Sequence, residues 1–388
     1  MRLRNHISLN VLLLGLVSLI NDLSSEMILP ILPLFIASLG GSGVAIGLIG
    51  GARDSITSLL KVFSGYLSDR TGKKKKLIFS GYLLSSVFKI LLAFSKTWHH
   101  ALIFIGFERI GKGLRDAPRD TIIAQSMPHR KGRAFGIHRA FDTTGAIIGS
   151  IVSLVLFWGF GFSFRTIILL SATIAFSSLI PIKWVTEKKQ QKKHLISFKK
   201  TLFNLPNKLK LFLIITALFS LANFSYMFFI LRAQKLFGNG PKTAIPILLY
   251  ILFNIFYAGL AIPFGNLADK IGRKKVLSVG YFLFIVTTIG FAYAQSLIAY
   301  IVLFALYGTV KSIVDANQRA LTSELSGENA HGTSLGAYHT VNGLFALPAS
   351  IIAGALWQIS PESTFLYGAA MSGITAVLFT FTRKWYGE

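Results

Sequence analysis

The block Gly65-Tyr-Leu-Ser-Asp69-Arg70-Thr-Gly72-Lys73-Lys-Lys-Lys76-Leu77 returns two hundred residues later as Gly265-Asn-Leu-Ala-Asp269-Lys270-Ile-Gly272-Arg273-Lys-Lys275-Val-Leu277. An internal repeat of this period in an apolar chain indicates one membrane bundle that has been duplicated. Each copy follows one long hydrophobic segment and precedes another. It therefore reads as a tight basic turn between two membrane helices, with its aspartate at a helix end. This organisation points to a carrier rather than an enzyme.

Composition agrees with a membrane as solvent. The 388 residues are 53% hydrophobic and only 14% charged, and the mean hydropathy of +0.60 is too high for a soluble domain of this size. The formal net charge of +25 would suggest nucleic acid in a soluble protein. Here the lysines and arginines fall mostly in short loops between apolar runs, so no nucleic-acid partner is expected. The absence of cysteine removes disulfides, thiolate metal sites and cysteine nucleophiles. The basic start Arg2-Leu-Arg4 resembles a secretory leader, but no small-residue cleavage site follows, and the segment reads as a first membrane helix.

An apolar helix of about 20 residues crosses a bilayer, and longer ones can tilt. Twelve such segments are predicted, at residues 9–37, 43–68, 77–95, 99–126, 134–158, 163–184, 209–236, 243–268, 275–294, 297–325, 333–358 and 362–384. A lysine-rich connection at 185–208 separates six spans from six. The predicted fold class is an all-α integral membrane protein with twelve transmembrane helices in two pseudo-symmetric six-helix bundles, 1–184 and 209–388. Lys and Arg are retained on the cytoplasmic side. The basic loops after spans two, four, six and eight, with Arg2, Arg4, Arg383 and Lys384 at the ends, all lie on one face. Both termini are expected in the cytoplasm, in a bacterial inner (plasma) membrane.

The repeated Gly-x-Leu-x-Asp-(Arg/Lys)-x-Gly-(Lys/Arg)-Lys pattern, its place after spans two and eight, and the six-plus-six layout resemble the major facilitator superfamily over essentially the whole chain. The resemblance implies secondary transport by alternating access. It also implies a gating role for the loop, carried here by Gly65, Asp69, Arg70 and Gly72 and in the second copy by Gly265, Asp269, Lys270 and Gly272. In span four, Arg109, Gly113 and Ala117 match the family's Arg-x-x-Gln-Gly-x-Gly-x-Ala pattern, with Lys112 in place of glutamine and Arg115 in place of glycine. Span ten echoes it with Lys311 and Asp315, so both halves bring a Lys and an Asp four residues apart. In span five, Gly145 and Gly149 are similar to an antiporter motif, but Ser150 replaces its proline, and a helix-packing face is the expected role.

Charges inside spans are costly and normally face a partner or a water-filled cavity. Asp22 and Glu26 lie one turn apart in span one, which offers no cation beside them. One of them is expected to bind a proton during the cycle, because loss of water and a neighbouring acid both favour a neutral carboxyl. The first-half charges are nearly balanced, so many are expected to pair with one another. Candidate substrate-binding residues are Arg53, Asp54, Lys61, Arg109, Lys112, Arg115, Asp116, His138, Asp142, Asn223, Lys311, Asp315 and Asn342. Their arginines and lysines suit a small anionic or zwitterionic solute, a metabolite or a siderophore-like chelate. No cofactor or bound metal is expected, since His138 has no second mid-membrane ligand at suitable spacing. A monomer is expected. The competing readings are a multidrug exporter, and a receptor or lipid scramblase built on the same fold. No nucleophile with a positioned base supports an enzyme.

Overall fold

The computed structural model describes residues 7–128, 130–187, 205–237, 244–326 and 331–382. Most of the predicted lysine-rich linker lies outside these residues. Among the described residues every regular element is helical. The first half contains α1 (Leu9–Ile28), α2 (Leu32–Ser38), α3 (Gly43–Thr71), α4 (Lys74–Ala93), α5 (Trp98–Ser126), α6 (Lys131–Leu154), α7 (Phe164–Ser177) and the short α8 (Leu179–Ile182). A π-helical turn, Val155–Gly159, prolongs α6. The second half contains α9 (Asn207–Ala222), α10 (Met227–Phe237), α11 (Ile245–Ile271), α12 (Arg273–Tyr293), α13 (Leu297–Glu324), α14 (His331–Ile359) and α15 (Pro361–Thr382).

Ten helical stretches among the described residues are both long and apolar enough to cross a membrane. α3 and α5, each of 29 residues, are also long enough but carry the charges singled out in spans two and four. Together they make the twelve predicted spans. Large apolar side chains such as Ile262, Ile298 and Phe381 are 74–76% exposed, as lipid-facing positions are.

Three spans predicted as single helices are interrupted; span six divides at Ser178 into α7 and the short α8. Span one breaks at Leu29–Ile31, where Pro30 has no N–H to donate to the helix. Span seven breaks at Asn223–Tyr226 without a proline.

Contact clustering divides the chain into two compact units. One comprises Met1–Leu32 and Leu59–His194, and the other Pro33–Ser58 and Leu195–Glu388. In the first unit α6 lies directly on α1, since a Cβ added at Gly145 or Gly149 would collide with the Leu19 or Leu23 carbonyl oxygen. The expected packing role of these glycines is therefore met. α4 and α5 approach as closely through Gly81 and Gly111. In the second unit the start of α3 packs on α14, with Gly47 against the Ser350 carbonyl and Gly43 against that of Gly354. Stacked and edge-on rings of Phe224, Phe229, Phe291 and Phe365, 4.9–5.4 Å apart in successive pairs, fill its interior.

Candidate functional site: a polar network in the first unit and a charged aromatic face in the second

α5 supplies most of the charge in the first unit. Helical spacing places Arg109, Lys112, Asp116 and Arg119 on neighbouring turns, while Arg115 turns to another face. Arg115 is 1% exposed, donates to Ser85 Oγ at 2.9 Å and stacks over the Tyr82 ring at 4.0 Å. It is thus held in the seam between α4 and α5. Arg109 pairs with Glu108 at 2.6 Å. Arg119 reaches both Asp120, at 3.0 Å, and Asp116, at 3.7 Å, and Lys61 approaches Asp120 at 3.7 Å.

The network continues into α1 and α6 through one hydroxyl. Arg119 Nη1 donates to Ser18 Oγ at 3.1 Å, and Ser18 Oγ lies 2.9 Å from His138 Nε2. Ser18 Oγ accepts from the guanidinium and is also shared with Nε2, as donor or second acceptor according to the imidazole tautomer. Nδ1 faces Asp142 Oδ2 at 3.4 Å. Four helices therefore contribute to one polar line running from Lys61 to Asp142.

Two expected residues stand apart from this line. The Lys112 ammonium is half-buried near the middle of α5 and forms no hydrogen bond or ion pair among the described residues. Asp22 is half-buried on α1 and is touched by the Asn21 amide at 3.4 Å. Its charge is felt by Lys112, Lys89, His138 and Asp142. Glu26 lies one turn further along α1 and is also half-buried.

Sequence reasoning gave α1 no cation, and the fold supplies one. Lys89 of α4, 2% exposed, donates to Ser24 Oγ at 2.8 Å and Ser25 Oγ at 3.0 Å, directly between Asp22 and Glu26 in sequence. A buried lysine in an otherwise apolar span was the available signal.

The other expected residues lie in the second unit. Arg53, 5% exposed, donates to the Tyr226 hydroxyl at 2.8 Å, with Asp54 exposed beside it on α3. Lys311 of α13 donates to Asn223 Oδ1 at 3.3 Å, and Asp315 accepts from the Tyr257 hydroxyl at 2.9 Å. Asn342 of α14 accepts from Ser220 at 2.5 Å. Tyr226 and Tyr257 were missed because a membrane-span tyrosine is as common on lipid-facing surfaces as in cavities.

The repeated loops share a geometry. Each aspartate ends a long helix, and Gly72 and Gly272 follow with φ of +66° and +97°, which an L side chain would strain. Asp69's side chain lies outside the described residues. In the second copy Asp269 binds Arg273 Nη2 at 2.5 Å, and Arg273 Nε also holds Glu324 at the end of α13. Asp269 is thus at a helix end, as expected, and its partner Arg273 is the first residue of α12. A cavity of about 330 Å³ lies between this loop and Leu321, Glu324 and Leu325. Among the described residues no group of three or more His, Asp or Glu side chains is placed to hold a metal.

A family profile described as Major Facilitator Superfamily matches residues 14–251 and 241–384. An MFS-type transporter of Methanocaldococcus jannaschii, described as uncharacterized, is 52% identical over 378 residues, 97% of this chain and 95% of the relative. The multidrug resistance protein MdtG of Klebsiella pneumoniae is 26% identical over 322 residues, 78% and 77% of the two chains. Among solved structures, the nucleoside transporter NupG superposes with a TM-score of 0.79 at 14% identity, covering 98% of this chain and 99% of that one. The human organic anion transporter MFSD10 superposes with a TM-score of 0.68 at 15% identity, covering 97% and 99%. These likenesses concern the fold.

Proposed function

This chain belongs to the Major Facilitator Superfamily and is a multi-pass membrane transporter, and from that premise we propose that it moves a small anionic or zwitterionic solute together with a proton. The observation that carries the proposal is Lys112. A lysine near the middle of a membrane helix, with its ammonium unengaged among the described residues, is costly unless a ligand or water meets it. An anionic group of the substrate is the natural partner.

Asp22 supplies the coupling. When its carboxylate is ionised it offsets the charge on Lys112, and when it takes up a proton the lysine's attraction for an anion is unopposed. Proton and anion then bind with positive linkage, each strengthening the other. That linkage suits symport. Lys89, His138 and Asp142 also feel the charge of this carboxylate. Glu26 is the second candidate for the proton. The basic loops support cytoplasmic termini in a plasma membrane.

The similarity to MdtG favours a second reading, export of lipophilic compounds. A thermal-shift screen of the purified protein at acidic and neutral pH separates the two. Stabilisation by polar anions or zwitterions that is stronger at low pH and lost in Lys112→Met supports the proposal. Stabilisation by lipophilic cations alone supports the exporter.

A further inference from the structure

Lys311 and Asp315 lie one turn apart near the middle of α13, a spacing at which opposite charges on a helix normally meet. Here they do not. Lys311 donates to the Asn223 amide oxygen, and Asp315 accepts from the Tyr257 hydroxyl. Neither forms an ion pair among the described residues. Each charge is held by a neutral group from another segment, Asn223 of the span-seven break and Tyr257 of α11, and all four side chains are half-buried and so within reach of a solute.

The lysine's partner belongs to the break in span seven. Non-helical backbone at membrane depth persists where it is enclosed by protein or lines a cavity. The break is tied down on several sides. The Ser225 N–H donates to Ser350 Oγ, and Tyr226 accepts from Arg53. Asn223 and Tyr226 are three residues apart, so the Lys311 and Arg53 contacts fall within about 11 Å of chain. Arg53 and Lys311 thus make this end of the face cationic.

From Tyr226 a row of rings leads along one face of α11. Centroid separations are 5.5 Å to Tyr250, 5.7 Å from there to Phe253 and 5.9 Å on to Tyr257, the tyrosine that holds Asp315. Tyr250 and Phe253 in this row are buried, while Tyr226 and Tyr257 at its ends are half-buried, and Asp315 lies at the Tyr257 end, one helical turn from Lys311. Arg319, one further turn along α13, donates to the Asp315 backbone carbonyl.

We infer that Lys311 and Asp315 form a zwitterion-binding subsite in the second unit, for a solute of the aromatic amino-acid type. Its carboxylate meets Lys311 and its ammonium meets Asp315, two charges one helical turn apart, and its planar body lies against the half-buried Tyr257 ring. Ammonium binding gains from the Tyr257 ring as well as from the carboxylate. This inference rests on the transporter reading above and names the substrate class more narrowly.

Three probes of one shape test it: L-phenylalanine, 3-phenylpropanoate, which lacks the ammonium, and 2-phenylethylamine, which lacks the carboxylate. Binding is measured calorimetrically with the full chain in lipid nanodiscs. The expected result is that phenylalanine binds about tenfold or more tighter than either analogue. Lys311→Met should reduce phenylalanine to the affinity of phenylethylamine while leaving phenylethylamine unchanged. Asp315→Asn should reduce it to the affinity of phenylpropanoate while leaving phenylpropanoate unchanged. The unchanged analogue in each case reports a folded variant. Equal affinity for all three probes, no binding of phenylalanine, or equal loss of all three probes in each variant would overturn the subsite. Lys112→Met in the same series keeps the two readings apart. If pH-dependent anion binding requires Lys112 while Lys311→Met and Asp315→Asn bind phenylalanine like wild type, the subsite alone fails. If Lys112→Met changes nothing, the earlier reading fails on its own account.

Discussion

His138 and Asp142 stand one turn apart on α6, with Nδ1 3.4 Å from Oδ2, while the other ring nitrogen is 2.9 Å from Ser18 on α1. The imidazole is therefore fixed at both nitrogens, and Ser18 is the piece that joins it to Arg119. Ser18→Ala should leave a buried nitrogen and a guanidinium hydrogen without their shared partner, costing roughly 1–3 kcal/mol. A lowered unfolding temperature in detergent checks this. Ser18→Cys, which retains a weak donor of similar size, should lose less. Equal melting of Ser18→Ala and wild type would remove Ser18 from the network.

Asp22→Asn imitates the protonated carboxyl permanently. Under the coupling proposed above, a proton on Asp22 leaves Lys112 unopposed, so anion binding by wild type should tighten as the pH falls. In the variant that dependence should flatten, with affinity near the low-pH value of wild type throughout. Counterflow in proteoliposomes should persist while accumulation driven by a proton gradient disappears. Retained gradient-driven accumulation would place the proton elsewhere, and Glu26→Gln is then the variant to examine.

Gly149 admits no side chain, since even a Cβ would run into the Leu23 carbonyl oxygen of α1. Backbone atoms cannot swing aside as the end of a flexible side chain can. Gly149→Leu should separate α6 from α1 and destabilise by roughly 1–3 kcal/mol or more. Size-exclusion chromatography should show loss of the monodisperse species. Gly136, where a Cβ would meet nothing within 4 Å, is the control, and Gly136→Ala should behave as wild type.

Arg273 joins Asp269 to Glu324, but both carboxylates are more than half exposed. Surface ion pairs are worth about 0–1 kcal/mol. Arg273→Ala should therefore change the melting temperature little. If the loop has the gating role that its motif implies, turnover should fall much more than stability does. Matching small effects on both would reduce the loop to a topological determinant.

Helix count, duplication and most of the charged residues were legible in the sequence, because membrane burial imposes length and polarity rules that act locally. The interruption of span one was also encoded locally, in Pro30, although the run of apolar residues concealed it. The break at Asn223–Tyr226 was not, since it is held by Arg53, Lys311 and Ser350, which are distant in sequence. Arg115 illustrates the same difference within one motif. Its position in α5 could be read, but its burial against Ser85 and Tyr82 depends on how α4 and α5 meet at Gly81 and Gly111.

The sequence by itself determined that this chain is an α-helical membrane protein of duplicated design, with its charge concentrated in α3, α5, α6 and α13. Those features follow from composition and periodicity, which report the solvent of each segment. Only the tertiary structure decided which charges neutralise one another and which stand with neutral partners. Arg119 finds Asp116 and Asp120, whereas Lys311 and Asp315 find Asn223 and Tyr257. The reason is physical: an ion pair depends on rotation and approach of separate helices to within about 4 Å, and no local pattern specifies a distance between segments far apart in the chain.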